Sequence, residues 1–454
     1  MSETRRTVTF IGIAVVLALL SVLTAPKRIT PNAFLDQGEL FFPDFEDPNE
    51  ATTLEVIDFN SETGSAVPFK VTFRRGTWTI PSHHNHPADG KDRLAKTAAG
   101  VIGIRKDDFR SDNIADHKEC GVIDPLDETA TSFEGRGQRV TLKDKHDVVL
   151  ADFIIGNEVE GSEGYRFVRV PGQKRVYAAK IDVDISTEFA DWIESDLLQV
   201  TRDKIERLVT KDYSIDERTG RLMERGDVVL QKDGDRWRAG DQRENEEVDV
   251  TTMNQLLGAL DDLKIVGIRP KPKGLTTTLT RSSDSLQVST ADMLSLQNAG
   301  YFFTRDGRLV SNEGELQVGT TEGIVYTLRF GEIVYGSGLA VSAGARTDEE
   351  GDAPGENRYL FITSMFDAAA FPEPQPPTNT DFLAKADSTM TNDDLSNRKL
   401  YNEHRKWKEN QNGRSNISTR LNARFAGWYY VITADSFDKL RLTRSDLVKP
   451  SPEG

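Results

Sequence analysis

The sequence predicts an α+β protein. It reads as an N-terminal transmembrane helix, then two tandem repeats, each a mostly antiparallel sheet with a packed helix, then a C-terminal tail of helix and strand. Three observations lead there. One apolar run, TVTFIGIAVVLALLSVLT at 7–24, has no equal in the rest of the 454 residues. Two long segments repeat one order of strand, turn and helix patterns. The strand patterns alternate polar and apolar residues, as half-buried antiparallel strands do.

The apolar run carries no charge and follows Arg5 and Arg6. At about 16–18 residues it sits at the short end of what spans a bilayer as a helix. A cleaved secretory signal needs a small-residue site. The candidate here, Leu23-Thr24-Ala25, opens on a large residue and runs into Pro26. An uncleaved signal anchor is therefore preferred, with cleavage the alternative. A buried helix of a soluble domain would show a polar face, and this run has none. Thr4-Arg5-Arg6 fits the start of a twin-Arg export signal, but the following positions do not. Lys27 and Arg28 after the run balance the two arginines before it, so positive-inside counting is nearly even. A leading basic-apolar segment acts as an export signal, which places residues 1–6 in the cytoplasm and the bulk of the chain outside it, in the periplasm.

Beyond the anchor the chain is polar, with 37% apolar and 29% charged residues, consistent with a folded ectodomain that has sizeable loops. A net charge of −16 argues against nucleic acid and against broad binding to anionic lipid. The single cysteine, Cys120, excludes an intramolecular disulfide, so the core must carry the fold. Cys120 reads as a small buried residue; His117 is near it in sequence but not in an activating pattern.

The first repeat spans 50–185. VPFKVTFRRGTWTIP (67–81) alternates around Trp78 and reads as a hairpin. Residues 87–106 follow as a helix, with Asp89 as N-cap and a stripe of Leu94, Ala98, Val101 and Ile102. Four strands occupy 138–182. The second repeat spans 205–370. Its hairpin (226–240) turns at Asp233-Gly234, with Trp237 matching Trp78. Its helix (248–268) is striped by Met253, Leu256, Leu257, Leu260 and Leu263, and strands fill 301–365. FIIG (153–156) and LRFG (328–331) fall at equivalent points. Linking helices at 186–204, with Phe189, Trp192, Ile193, Leu197 and Leu198, close one repeat and open the next. A Pro-rich spacer (371–394) leads to the tail (395–454), whose polar, charged helix has few apolar anchors and is expected to extend from the body. WYYVI (428–432) in that tail reads as a strand.

The Trp-hairpin, the helix and GIVYTLRFG (323–331) together resemble the domain-of-unknown-function 4340 family. The resemblance covers both repeats. It is strongest at 314–331, at Glu119-Cys120-Gly121-Val122-Ile123-Asp124-Pro125 and at 428–432. It implies a membrane-anchored extracytoplasmic protein associated with gliding-motility-type ABC transporters, and it implies no known ligand or reaction. One departure stands out. Where the first repeat has Gly-Val-Ile-Asp-Pro, the second has Asn298-Ala299-Gly300-Tyr301, so the two copies need not do the same job.

No catalytic, cofactor-binding or metal-binding residue is assigned from the sequence. Ser82-His83-His84-Asn85-His86 holds three of the six histidines, and imidazoles bind transition metals. Adjacent residues point apart, however, and no Cys or carboxylate stands at ligand spacing, so a polar connector is the preferred reading and metal binding by His83, His84 and His86 stays open. Asp182-Val183-Asp184 and TDEEGD (347–352) lack a calcium-loop pattern. Gly100-Val101-Ile102-Gly103 and Gly336-Ser337-Gly338 precede no Gly-Lys-Ser/Thr, so neither is a phosphate loop. No Gly-x-Ser-x-Gly or His-Glu-x-x-His occurs. Trp78 and Trp237 are expected to pack under the helix of their own copy, with a carbohydrate platform the lesser alternative.

The expectation is therefore a non-enzymatic, membrane-tethered accessory or scaffold protein of an ABC-type transporter or envelope complex. Its partners would be the membrane, through the N-terminal helix, and permease or auxiliary subunits. The alternatives are a binding module for an envelope glycan or polymer, and a hydrolase with an unrecognised site.

Overall fold

The structure is a computed structural model, and it describes residues 13–17, 36–194, 196–216, 221–263, 265–280, 288–335 and 356–451. Of the apolar run at 7–24, only residues 13–17 are described; they are helical and exposed. The rest of the run lies outside the described residues, as do 347–352 and 336–338. Among the described residues, no helix is long and apolar enough to cross a membrane.

In chain order the elements are β1 (Thr53–Asn60), β2 (Ser65–Arg74), β3 (Thr77–Ile80), β4 (His86–Pro87), α1 (Lys91–Ile102), β5 (Asp108–Ser111), β6 (Gln138–Lys143), β7 (Val149–Glu158), β8 (Tyr165–Arg169) and β9 (Val176–Lys180). There follow β10 (Ile205–Asp216), β11 (Arg221–Asp233), β12 (Arg236–Ala239), β13 (Glu246–Val248), α2 (Val250–Asp261), β14 (Ile265–Pro270), α3 (Lys273–Thr280) and α4 (Thr290–Asn298). The chain continues through β15 (Tyr301–Phe303), β16 (Leu309–Ser311), β17 (Glu315–Thr320), β18 (Ile324–Val334), β19 (Asn357–Phe366), α5 (Asn392–Ala426), β20 (Trp428–Ile432), α6 (Ala434–Leu440), α7 (Arg444–Leu447) and β21 (Val448–Pro450). Two compact units result: residues 1–68 with 94–185, and residues 69–93 with 186–454.

In the first unit the strands run β2-β1-β6-β7-β8-β9-β5, with the start of β2 at the edge. Every pairing from β1 across to β5 is antiparallel. Alternation sends Leu54, Val56, Val140, Leu142, Phe153 and Val168 into the core, all fully buried. Helix α1 buries Leu94, Ala98 and Val101, three of the four stripe positions read from the sequence; Ile102 is half-buried. Gly100 lets α1 approach closely, because a Cβ there would meet Val183 Cγ2 at 2.9 Å.

In the second unit the strands run β12-β11-β10-β17-β18-β19-β20-β14. Strand for strand this is the order of the first unit, with β10 for β1, β17–β20 for β6–β9 and β14 for β5. Helix α2 buries Met253, Leu256, Leu257 and Leu260, and Asp249 caps it by accepting from the Thr252 N–H at 2.8 Å. The second unit also contains β3 and β4, with β3 paired to Thr72–Arg74 of β2.

The second sheet reaches further along the chain than the strand pattern at 301–365. Its seventh strand in space is β20, the WYYVI segment of the tail, seated between β19 and β14. The Pro-rich segment and α5 are thus inserted between two neighbouring strands. Nor does α5 extend away from the unit. It docks on β19 through polar groups: the Asn422 side chain accepts from the Ser364 N–H at 2.8 Å and donates to its carbonyl at 2.6 Å. The Pro-rich segment is fixed to the same helix. Trp407 donates to the Phe371 carbonyl at 2.9 Å, and Arg414 sits 3.7 Å from the Phe371 ring centre. Few apolar anchors were legible because only Leu421, Phe425 and Ala426 are buried apolar residues of the helix, and side-chain hydrogen bonds make the rest of the attachment.

Candidate functional site

The equivalent FIIG and LRFG segments build the same junction in both units. In the first, the Asn157 N–H donates to the Cys120 carbonyl at 2.9 Å; in the second, the Glu332 N–H donates to the Ala299 carbonyl at 3.1 Å. Gly121 (φ +68) and Gly300 (φ +83) occupy the left-handed conformation that glycine adopts without strain. A Cβ on Gly156 would collide with the Cys120 carbonyl oxygen, and one on Gly331 with that of Ala299. Both strands then shift register against their neighbour, β7 after Ile155 and β18 after Phe330. The Gly-Val-Ile-Asp-Pro segment and its Asn298-Ala299-Gly300-Tyr301 counterpart therefore share a structural task.

The two units differ in what the junction carries. In the first, a loop from Ile123 runs back to Arg136. Arg136 donates to the carbonyls of Asp124, Pro125, Asp127, Ala130 and Ser132, at 2.9–3.3 Å, and lies 4.3 Å from the Phe59 ring centre. In the second, the short hairpin β15–β16 stands there instead.

The sequence-singled residues fall as follows. His83 is buried, its ring stacked on Phe189 at 4.8 Å, and burial pushes its pKa down to about 4, the neighbouring His84 and His86 adding to the shift. His86 donates from Nδ1 to the Pro87 carbonyl at 2.7 Å and packs on Phe189 and Trp428; burial lowers its pKa to about 4 as well. His84 and Asn85 take left-handed φ values in the turn between them. These rings are aromatic packing partners, and among the described residues no group of three His, Cys, Asp or Glu side chains is placed to hold a metal ion. Cys120 is buried, and burial raises its thiol pKa. Asp182 and Asp184 are exposed; the carbonyl of Asp184 accepts from Thr97 at 3.0 Å. Trp78 and Trp237 are both half-buried. Trp78 packs beside Gly90 just ahead of α1, while Trp237 faces an open groove.

That groove is the candidate site. It measures about 1000 Å³ and lies in the second unit, between the β11–β12 hairpin and the N-terminal half of α2. Trp237 and the 68% exposed Val250 give it apolar surface, with the buried Met253 and Leu257 beneath. Arg202, Lys232, Arg236, Arg238 and Arg243 line it together with Asp203, Asp235, Glu244 and Glu247. Arg202 is spent on Asp261 at 3.4 Å and Arg238 on Asp233 at 3.5 Å. Lys232, Arg236 and Arg243 make no ion pair among the described residues. An open groove of mixed charge around one indole face suits binding of an extended polar or anionic ligand.

One residue the sequence did not flag is Lys271. Its side chain is buried, 3.9 Å from the Phe361 ring centre and 5.3 Å from that of Tyr429, and its Nζ donates to the Phe425 carbonyl at 3.1 Å. Burial without a carboxylate partner drives its pKa well below the usual lysine value. The two prolines flanking it, Pro270 and Pro272, were the only local hint of a constrained position.

No curated protein and no solved structure matches the chain. A family model does match, that of Domain of unknown function (DUF4340), over residues 78–278. The matched stretch contains the Glu119–Pro125 motif, Arg136, α1 and α2 with the Trp237 groove; the motifs at 314–331 and 428–432 lie beyond it. From β3 of the first repeat to the strand and helix that follow α2 in the second, the chain is similar to the DUF4340 family.

Proposed function

We propose that the protein is a non-enzymatic, membrane-tethered extracytoplasmic accessory of an ABC-type transporter or envelope complex, presenting a duplicated sheet scaffold to its partners. The observation that carries this reading is the Trp237 groove, wide, open and lined by unpaired cations, which offers a docking surface instead of a water-excluding pocket. The uncharged run at 7–24 supports the tether. The family resemblance supports the association with a transporter. Affinity purification of the tagged full-length protein from membranes should recover permease or auxiliary subunits, and Lys232→Glu with Arg236→Glu should reduce that recovery. Purification that repeatedly yields no transporter subunit counts against the proposal.

A second reading is favoured by the exposed indole face of Trp237 beside those cations: binding of an anionic envelope glycan or polymer. It predicts glycan-array signals that Trp237→Ala abolishes. Arrays without signal would remove it and leave the first reading untouched.

A further inference from the structure

The first unit holds a second cleft, of about 690 Å³, that the proposed function does not use. Its walls are the turn before Cys120, the Ile123–Arg136 loop, the Gly172–Lys174 turn, and the side chains of Arg139 and Arg169. Arg169, at the end of β8, is only 6% exposed. Its Nε donates to the Val122 carbonyl at 2.8 Å and its Nη1 to the Gln173 carbonyl at 2.9 Å. Its Nη2 has no hydrogen-bond partner among the described residues, and no carboxylate lies within ion-pair reach. The nearest acid on this wall, Asp124, is already bound by Arg139 at 3.0 Å, and Arg139 is held on its other side by Asp152 at 2.7 Å.

Asp124 and Asp127 act on the Arg169 charge only from beyond ion-pair reach, so an anion brought into direct contact with the free nitrogen would still be favoured. Two of the guanidinium nitrogens are fixed by backbone carbonyls, so the third is aimed in advance. Desolvation also acts to lower the Arg169 pKa, which an incoming anion would relieve. Lys174 supplies a second cation at the mouth and makes no ion pair among the described residues. The loop that contributes Asp124 to Ala130 to the cleft has its backbone fixed by the five carbonyl contacts of Arg136, so the cleft is formed in advance of binding. The loop and its approach present apolar side chains to solvent: Leu126 is 48% exposed and Ile114 59%.

We propose that Arg169 anchors a carboxylate-binding site that takes the C-terminal carboxylate of a partner polypeptide ending in an apolar residue. One free guanidinium nitrogen and one ammonium suit a monoanion. A phosphate dianion would want more donors, and Asp124 and Asp127 on the cleft would repel its double charge about twice as strongly as a single one. Leu126 and Ile114 would receive the apolar terminal side chain. The side-chain amide of Gln173 on the same wall can pair with a peptide backbone and not with an alkyl chain.

The test is titration of the full-length protein, followed by NMR or calorimetry, with three probes: acetyl-Ala-Ala-Leu as the free acid, the same peptide as its C-terminal amide, and inorganic phosphate. The free acid should bind at least tenfold more tightly than either of the others. Arg169→Gln should weaken the acid at least tenfold. Lys174→Ala, a change at the cleft mouth, should weaken it severalfold with the unfolding temperature unchanged, which separates binding from folding. Trp237→Ala should leave it unaffected, so failure here and failure of the groove reading are distinguishable. Equal binding of acid and amide, preference for phosphate, an unaltered Lys174→Ala variant, or no binding of the acid at millimolar concentration would overturn the proposal.

Discussion

The two repeats share a strand order and a glycine junction, yet they differ wherever a side chain is placed for something other than the sheet. Just past the paired strands β5 and β14, the first repeat has the exposed Asp112, matched by Arg175 at 2.9 Å, and the second has the buried, unmatched Lys271. Five residues after the hairpin tryptophan, the first has His83 against Phe189 and the second has Gln242, which donates to the Glu246 carbonyl at 2.7 Å. After the junction, the first has an arginine-clamped loop and the second a short hairpin. Backbone constraints have held both copies to one frame, and the cost of departing from it is steric. Positions outside that frame have been free to diverge into clefts, clamps and buried charges.

The largest effect should fall where the repeats agree. Gly156→Ala and Gly331→Ala each force a methyl group into a carbonyl oxygen, and each should cost about 3 kcal/mol in denaturant unfolding. If one substitution is silent, the two junctions are not equivalent. Next comes acidification, where the repeats differ. The folded pKa of His83, near 4, lies below an unfolded value of about 6.5, so the unfolded chain takes up the proton first. The neutral ring's stability is intact above about pH 6.5 and declines as pH falls toward 4, by up to about 3 kcal/mol. His83→Phe should flatten that decline, whereas Gln242→Ala should leave its slope unchanged; equal slopes in wild type and His83→Phe would refute the assignment.

Arg136→Ala removes five carbonyl contacts and should cost about 2 kcal/mol, with faster amide exchange confined to 123–135. Exchange spreading over the whole first sheet would mean that the loop is part of the frame and not an addition to it. The smallest change runs the other way. Lys271→Met keeps the apolar volume and removes an amine whose charged form burial disfavours, so stability at pH 7 should rise by about 1 kcal/mol. A loss instead would show that the bond to the Phe425 carbonyl outweighs desolvation.

Much of this frame was legible in the sequence because it is periodic. The stripe in α2, the Trp at the same place in each hairpin, and the FIIG and LRFG strands all declare themselves through spacing. WYYVI (428–432) read as a strand of the tail, but its place in the second sheet was hidden because α5 and the Pro-rich segment intervene between β19 and β20. Helices α3 and α4 were also missed: α3 is a short run, half of it threonine, and α4 buries little beyond Leu296 and Asp292, so no stripe marks either. The clefts were beyond sequence reading for a different reason. Arg136 and Arg169 act on backbone carbonyls, which every residue possesses, so no side-chain partner betrays them.

The position of β20 has a consequence for how the protein is made. Strand β14 is joined to its sheet only through β20, which is synthesised more than a hundred residues later. Until that late segment emerges, β14 keeps an unpaired edge, and the sheet cannot close progressively from its N-terminal end. Folding of the second unit must wait for nearly its whole length, leaving an interval in which a chaperone, or a partner able to lend a strand, would have something to hold.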